Sequence, residues 1–415
     1  MRVLLALCLL LSAVAVRGAE SEGIEAFRSL FRSVTRKTFD SGGEIARQFH
    51  LESGAYLEMA TIARTGPARP LPEAIDPAVA AQTVRWPDGE GSLDGYVQGN
   101  AYVDGALVLH GGEIVYEAYP RMAPWQRHFS WSVSKVVLST ALAVLVDEER
   151  VDPEAGVETY LPELAGTVWD GVAVRDVANM ASGVDCRDSD GYQTSTTCIY
   201  RLEESLGITA ETGYDGGLLA HLQSIERRGP AGARYEYASA NTIVMGLILE
   251  AVSGQSFADF ARERLWAPMG AEADALVAIS PEGFAYTSGG VALRLRDLAR
   301  FGALHTRPEG FGVLSEAMLA DIQGGRGVAL DPGRAEARDA YFFSDAPVRA
   351  SWQWDHVWSD GALYKGGYSG QGLYVDPDRD LVVAWFGTGE DFSARRNDLL
   401  TIARQLATSG RFEGE

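Results

Sequence analysis

Lysine is nearly missing from this 415-residue sequence: 36 residues are Lys or Arg, and only Lys37, Lys135 and Lys365 are lysine. Wherever positive charge alone was needed, the chain used arginine. A surviving lysine is therefore a candidate for work a guanidinium cannot do, above all giving up a proton near neutral pH. Positive charge is scarce overall, with a net charge of −21, so nucleic acid and anionic membrane are poor partners. Cysteine is limited to Cys8, Cys186 and Cys198, and the 6 histidines stand apart without metal-ligand spacing. That argues against a cysteine-built metal or redox centre and against a zinc hydrolase, so no metal and no cofactor are expected. No Gly-x-Ser-x-Gly pentapeptide occurs, so the nucleophile elbow of the α/β-hydrolases is not expected either.

Long apolar runs are equally rare. The one at the start, Val3 to Val16, follows Met1-Arg2 and precedes Gly18 and Ala19. At about 14 residues it falls short of the roughly 20 that cross a bilayer. The charged, apolar, small-residue order is that of a secretory signal peptide, residues 1–19, which predicts a secreted or periplasmic protein. Losing Arg2 and Arg17 with it would take the net charge from −21 to −23, and no remaining segment could span a membrane. Cys8 falls inside the signal with no small residue directly before it, so lipid anchoring is not expected. Cys186 and Cys198 remain, and in an oxidising compartment their spacing suits a local disulfide, with two free thiols as the alternative.

What is present is ordinary globular composition, 46% hydrophobic and 22% charged, which excludes disorder as the main state. Residues 20–84 mix short amphipathic pieces with Pro and Gly punctuation and read as an N-terminal extension lying on a core, with no separate function. From Ala106 to Tyr119 two strand patterns flank Gly111-Gly112, a hairpin with a two-residue turn. Residues from about 150 to 285 carry mostly helical patterns. Strand patterns return at Gly372–Asp376 and Leu381–Phe386, before a closing helix from about Arg396 to Ala407. Strands at both ends with helices between predict an α+β domain over 85–412: one antiparallel sheet built from both chain halves, flanked by helices, with an inserted helical lobe.

Chemistry concentrates in three places. Ser130-Trp-Ser-Val-Ser-Lys135 opens a run that is apolar nearly all round, which predicts a buried central helix. On it Ser132 and Lys135, three apart, share a face. A serine needs a neighbouring base to act as a nucleophile, and a desolvated amine can be that base. The helix start also offers N–H groups and a positive dipole end to an anionic intermediate. Tyr235-Glu-Tyr-Ala-Ser-Ala-Asn-Thr242 places Tyr237 and Ser239 at the entrance to a second helix, where a tyrosine hydroxyl could pass a proton; an aromatic staple and a helix cap are the structural alternative. Tyr364-Lys-Gly-Gly-Tyr-Ser-Gly-Gln-Gly-Leu-Tyr374 sets Lys365 and glycines at a strand where a substrate can approach the backbone. Two of the three lysines thus fall in two separate candidate motifs.

Ser-x-x-Lys, then Tyr-x-Ser about a hundred residues on, then Lys-Gly-Gly, resembles the three-motif signature of the serine β-lactamase and penicillin-binding-protein superfamily, in its class C β-lactamase, DD-peptidase and esterase branch. Tyr160-Leu-Pro-Glu-Leu-Ala-Gly, Val174 to Gly183 and Gly289 to Gly302 are similar to it too, so the likeness covers roughly residues 85–410. The Trp-Ser-Val-Ser-Lys and Met-Ala-Ser-Gly wording is most similar to the 6-aminohexanoate-dimer (nylon oligomer) hydrolase-like members. The resemblance implies the β-lactamase/transpeptidase-like fold, with Ser132 as nucleophile, Lys135 as general base and Tyr237 as proton shuttle. It further implies an oxyanion hole from the N–H groups of Ser132 and Tyr368, and substrate contacts from Ser239, Lys365, Gly366, Gly367 and Tyr192. Ser239 stands where β-lactamases usually have Asn, and Gly366 where they usually have Thr. Both departures favour a serine hydrolase that forms an acyl-enzyme with a small-molecule ester, linear amide or peptide, ahead of a β-lactamase or D-Ala-D-Ala carboxypeptidase. A non-catalytic penicillin-binding sensor is the rival from another class.

Overall fold

The computed structural model describes residues 22–35, 38–39, 41–192, 194–208, 216–306, 311–330, 343–389 and 398–413. The segment read as a signal peptide and Lys37 lie outside them. Eight strands form one antiparallel sheet: β1 Val103–His110, β2 Glu113–Ala118, β3 Val328–Ala329, β4 Arg349–Ser351, β5 Trp354–Val357, β6 Leu363–Gly366, β7 Gly372–Asp376 and β8 Leu381–Gly387. Their order is β2-β1-β8-β7-β6-β5-β4-β3. The β1–β2 turn is Gly111-Gly112, whose φ values of 60° and 80° only glycine adopts cheaply. β1 pairs with β8 from His110 opposite Leu381 to Val103 opposite Gly387, which joins the two chain halves as expected.

Alternation along the strands assigns each face. Leu107, Leu109, Leu373, Val375, Val382 and Ala384 point into the main core, whereas Ala106, Val108, Tyr374, Val383 and Trp385 point into a second core on the far side. Five helices matter for the site: α1 Gly43–Leu51, α2 Ser134–Asp147, α3 Ser239–Ser253, α4 Leu295–Ala303 and α5 Asp398–Ala407. α2 is buried without a break from Ser134 to Leu145, the fate of a helix with no polar face. α3 packs on α2, α4 covers the main-core face of the sheet, and α5 covers the other.

Two expectations need correcting. The stretch 20–84 does not lie on a finished core; its described residues complete that core. Val34, Phe39, Phe49 and Ile62 belong to the main core, and Met59–Ile62 pairs with Ala275–Ala278 in a small sheet ordered Met59–Ile62, Ala275–Ala278, Val291–Leu293, His128–Phe129. A boundary at 84/85 also cuts the hairpin in which Arg85 faces Glu90. The stretch read as a helical lobe does hold helices at Val174–Ala178, Cys198–Ser205, Gly217–Ser224 and α3. It ends, however, in the strand Ala275–Ala278. Strands of two to four residues escape a pattern search because period-2 alternation needs more residues to declare itself.

Candidate active site

Three alternate serines start α2, and the structure gives them different work. Ser130 and Ser134 are buried fasteners. The Ser130 N–H and hydroxyl both donate to the Val291 carbonyl, at 2.8 and 2.7 Å, and the Ser134 hydroxyl accepts the Val291 N–H at 2.9 Å. Ser132 keeps partial exposure and has the Lys135 Nζ at 3.0 Å from its Oγ. Trp131 between them holds a φ of 45°, a left-handed conformation that costs a non-glycine residue about 1–3 kcal/mol. Lys135 is 1% exposed, and its other bond goes to the Ser288 carbonyl at 2.6 Å. Burial pulls its pKa down to about 7; Asp188 resists the shift and Lys365 adds to it.

Tyr237 meets both this amine and a second one. Lys135 Nζ lies 5.1 Å from the Tyr237 ring centroid and Lys365 Nζ 4.5 Å, and Lys365 also donates to the Tyr237 hydroxyl at 3.1 Å. Burial pushes the Tyr237 phenol well above its ordinary pKa, with Asp355 and Asp188 adding to the rise, so it holds its proton. Lys365 is fully buried but paired, with Asp355 Oδ1 at 2.5 Å. The register that sets His356 opposite Tyr364 brings Asp355 opposite Lys365 on β5 and β6, and the other Asp355 oxygen accepts the Gly366 N–H at 3.0 Å. The β6 end abuts the turn that carries Ser132: a Cβ on Gly367 would stand 2.7 Å from the Ser130 carbonyl oxygen, so only glycine fits there.

The Ser132 hydroxyl, a buried amine within hydrogen-bond reach of it, a protonated phenol and a second amine paired with a carboxylate thus lie together at one partly exposed place. The family model described as Beta-lactamase matches residues 92–407. The chain belongs to the beta-lactamase family. A 6-aminohexanoate-dimer hydrolase of Paenarthrobacter ureafaciens is 31% identical to it over 367 residues, 85% of this chain and 89% of that one. A solved structure from Bacillus anthracis, assigned as a 6-aminohexanoate-dimer hydrolase, matches with a TM-score of 0.76 at 23% identity, covering 91% of this chain and 98% of that one. A D-stereospecific amidohydrolase from Streptomyces sp. matches at 0.55 and 19% identity, over 74% of this chain and 95% of that one. This chain is therefore a hydrolase of the beta-lactamase family with the β-lactamase/transpeptidase fold.

The remaining residues singled out by sequence take up two kinds of position in this beta-lactamase-family chain. Tyr368 adjoins the turn that carries Ser132, its ring 5.4 Å from that of Trp131. Gly366 leaves room for the Tyr364 hydroxyl, which would lie 2.7 Å from a Cβ placed there. Ser239, read as a substrate contact, is tied down: its N–H and hydroxyl donate to the two oxygens of Asp188, at 2.7 and 2.6 Å. Its one hydroxyl proton is engaged, so it has none to offer a substrate amide in this arrangement. The Tyr192 hydroxyl donates to Asp188 as well, and its phenol pKa is raised, by burial first and Asp188 second. Cys186 and Cys198 form a disulfide that closes the loop carrying Asp188 and Tyr192. His221 Nε2 lies 3.5 Å from the Cys198 sulfur, but sulfurs bonded to each other offer no thiolate to a metal. Sequence reasoning missed Asp355 and Asp188, two carboxylates among 57 acidic residues.

Proposed function

We propose that this hydrolase cleaves esters or linear amides through an acyl-enzyme on Ser132. Neutral Lys135 donates to the Ser288 carbonyl and turns its lone pair to the Ser132 hydroxyl, taking its proton as Oγ attacks the substrate carbonyl carbon. The N–H groups of Ser132 and Tyr368 receive the oxyanion. Tyr237 passes its phenol proton to the leaving amine or alkoxide as the C–N or C–O bond breaks, and regains one from Lys135. Water then attacks the acyl carbon by the same route in reverse, releasing the acid and restoring Ser132.

The observation that carries this is the Lys135–Ser132 pair, an amine 3.0 Å from the hydroxyl with its pKa pulled to about 7, near the working pH at which a general base is most effective. A linear amide is also what the name of the Paenarthrobacter relative implies for that enzyme. Engagement of Ser239 by Asp188, where a β-lactam's side-chain amide would need a donor, and the missing hydroxyl at Gly366 weigh against β-lactams. The test is a fluorophosphonate probe with p-nitrophenyl esters, short linear amides, nitrocefin and D-Ala-D-Ala peptides. We expect labelling of the wild type, none in Ser132→Ala, and turnover of esters or linear amides well above that of nitrocefin. Unchanged labelling of Ser132→Ala would sink the proposal.

Export is proposed with it, supported by the N-terminal sequence and by a disulfide that oxidising compartments preserve. N-terminal sequencing of protein from periplasm or medium should begin near Glu20; an uncut chain kept in the cytoplasm would refute it.

A further inference from the structure

The left-handed turn at Trp131 needs something to hold it, and the structure supplies a buried chain of hydrogen bonds that starts in the N-terminal region. The Trp131 indole N–H donates to His50 Nε2 at 2.8 Å. An indole nitrogen can only donate, so Nε2 carries no proton and Nδ1 carries one. Nδ1 then donates to the Thr388 hydroxyl at 3.2 Å, and that hydroxyl donates to Asp104 Oδ2 at 2.5 Å. Asp104 also receives Arg47 Nε at 2.7 Å and His128 Nε2 at 3.0 Å. His50, Asp104, His128 and Thr388 are each 0% exposed, so no water competes for these bonds. Burial keeps the His50 imidazole neutral, with neighbouring His128 acting in the same direction, as the acceptor role of Nε2 requires.

The same indole touches both halves of the proposed oxyanion site, belonging to the residue before Ser132 and meeting the Tyr368 ring. Phe39, Phe49 and Phe129 surround it at centroid distances of 5.7, 6.1 and 5.0 Å, and Tyr368 meets it at 5.4 Å. Packing alone would tolerate a small rotation of the ring. The His50 bond fixes that rotation, and with it the backbone that leads into Ser132.

We propose that His50, on α1 in the N-terminal region, is a positioning residue for catalysis: by accepting the Trp131 indole hydrogen it locks the left-handed turn that presents Ser132 to Lys135. This rests on Ser132 being the nucleophile. A misplacement of the reacting oxygen by about 1 Å is enough to cost a hundredfold in rate, so a bond remote from substrate can govern acylation.

The experiment compares His50→Leu, His50→Gln, Trp131→Phe and the double variant His50→Leu/Trp131→Phe by the rate of Ser132 acylation with a fluorophosphonate, by kcat and KM on an ester, and by Tm. Glutamine can accept the indole hydrogen and donate to Thr388, so His50→Gln should stay within about threefold of wild type. His50→Leu and Trp131→Phe should each lower acylation and kcat about tenfold or more at nearly constant KM. The double variant should be no worse than the poorer single one. Ile402→Ala, in the second core on α5 and away from the site, supplies a Tm loss without a kcat loss. If His50→Leu does not fold, Trp131→Phe, which keeps an aromatic ring and drops only the N–H, carries the comparison. Wild-type acylation rates in His50→Leu or Trp131→Phe, failure of His50→Gln to restore the rate, or multiplicative losses in the double variant would overturn the inference. Absence of Ser132 labelling in the wild type would show instead that the catalytic proposal itself had failed, and the inference with it.

Discussion

Lys135 and Lys365 both lie against the ring of Tyr237 at the same depth, 1% and 0% exposed, yet their surroundings differ in one respect. Lys365 has a carboxylate, Asp355, at 2.5 Å. Among the described residues Lys135 bonds a hydroxyl and a carbonyl, at 3.0 and 2.6 Å. Burial lowers both pKa values, but at Lys365 an adjacent negative charge works against the shift, and at Lys135 the nearest such charges belong to groups it does not touch. The proposed mechanism casts Lys135, which touches no carboxylate among the described residues, as the base, and Lys365, whose carboxylate partner favours the charged form, as a donor to the Tyr237 hydroxyl.

Arginine breaks this symmetry most sharply, because it keeps its charge and cannot act as a base. Lys135→Arg should reduce Ser132 acylation by about 10²–10⁴-fold, the range ascribed to general base catalysis. Lys365→Arg should retain activity within about tenfold, since a guanidinium fork can still pair with Asp355. Single-turnover kinetics on a p-nitrophenyl ester separate the two. Equal losses in both variants would mean that the lysines share one role.

Asp355 is next in expected effect. Asp355→Asn removes the charge but keeps an acceptor, leaving the buried Lys365 amine without the carboxylate that favours its charged form, so Lys365 should lose its proton more readily. We expect kcat to fall roughly 10–100-fold with the fold intact by circular dichroism. Wild-type kcat would show that Lys365 needs no charge to serve Tyr237.

The pH dependence then sharpens the comparison without mutation. With Lys135 titrating at about 7, kcat/KM should fall about tenfold per unit below that pH as the base becomes protonated. Stability should move the same way. Folded Lys135 gives up its proton near 7, whereas an unfolded lysine keeps it to about 10.4, so between these values the unfolded state binds more protons and stability rises with pH. Lys135→Met should flatten that rise in Tm between pH 7 and 10 and abolish turnover. An unchanged rise would assign it to other groups.

How much of this was legible in the sequence follows from the range over which each signal acts. Ser132 and Lys135 are three residues apart on one helix, and helical geometry alone brings them together. Lys365 announced itself through the scarcity of lysine and the glycines beside it. The β1–β2 hairpin was readable because Gly111-Gly112 is a turn signal, and the union of the two chain halves because strand patterns occur at both ends. Asp355 gave no such signal. It reaches Lys365 only through the β5–β6 register, and the tight turn before β5 uses Trp352 and Gln353 at φ values of 46° and 68°, where a pattern search looks for Asn or Gly. Asp188 reaches Ser239 across 51 residues of chain. The role of the N-terminal region is hidden for the same reason: Phe39, Phe49 and His50 look like pieces of an amphipathic surface until Trp131, at 81 residues' distance from His50, is placed against them.

The smallest effect is expected where sequence and structure disagree most, at Ser239. If its hydroxyl met the substrate amide, Ser239→Ala would raise KM and lower kcat/KM for amides by a factor comparable to losing a hydrogen bond to a buried group, about 10–100-fold. In the structure that hydroxyl donates to Asp188, which also accepts the Ser239 N–H at the start of α3. Asp188 does for α3 what a capping residue does, although it comes from a distant loop. Ser239→Ala removes one of the two bonds and leaves the N–H contact, so it should cost about 1 kcal/mol of stability and leave ester and amide turnover within about threefold. Asp188→Ala removes both bonds together with the Tyr192 contact, and should lower Tm further while loosening the disulfide-closed loop against the cleft. Urea denaturation beside steady-state kinetics on matched ester and amide substrates distinguishes the cases. A selective loss of amide over ester turnover in Ser239→Ala would return this serine to the substrate side of the site.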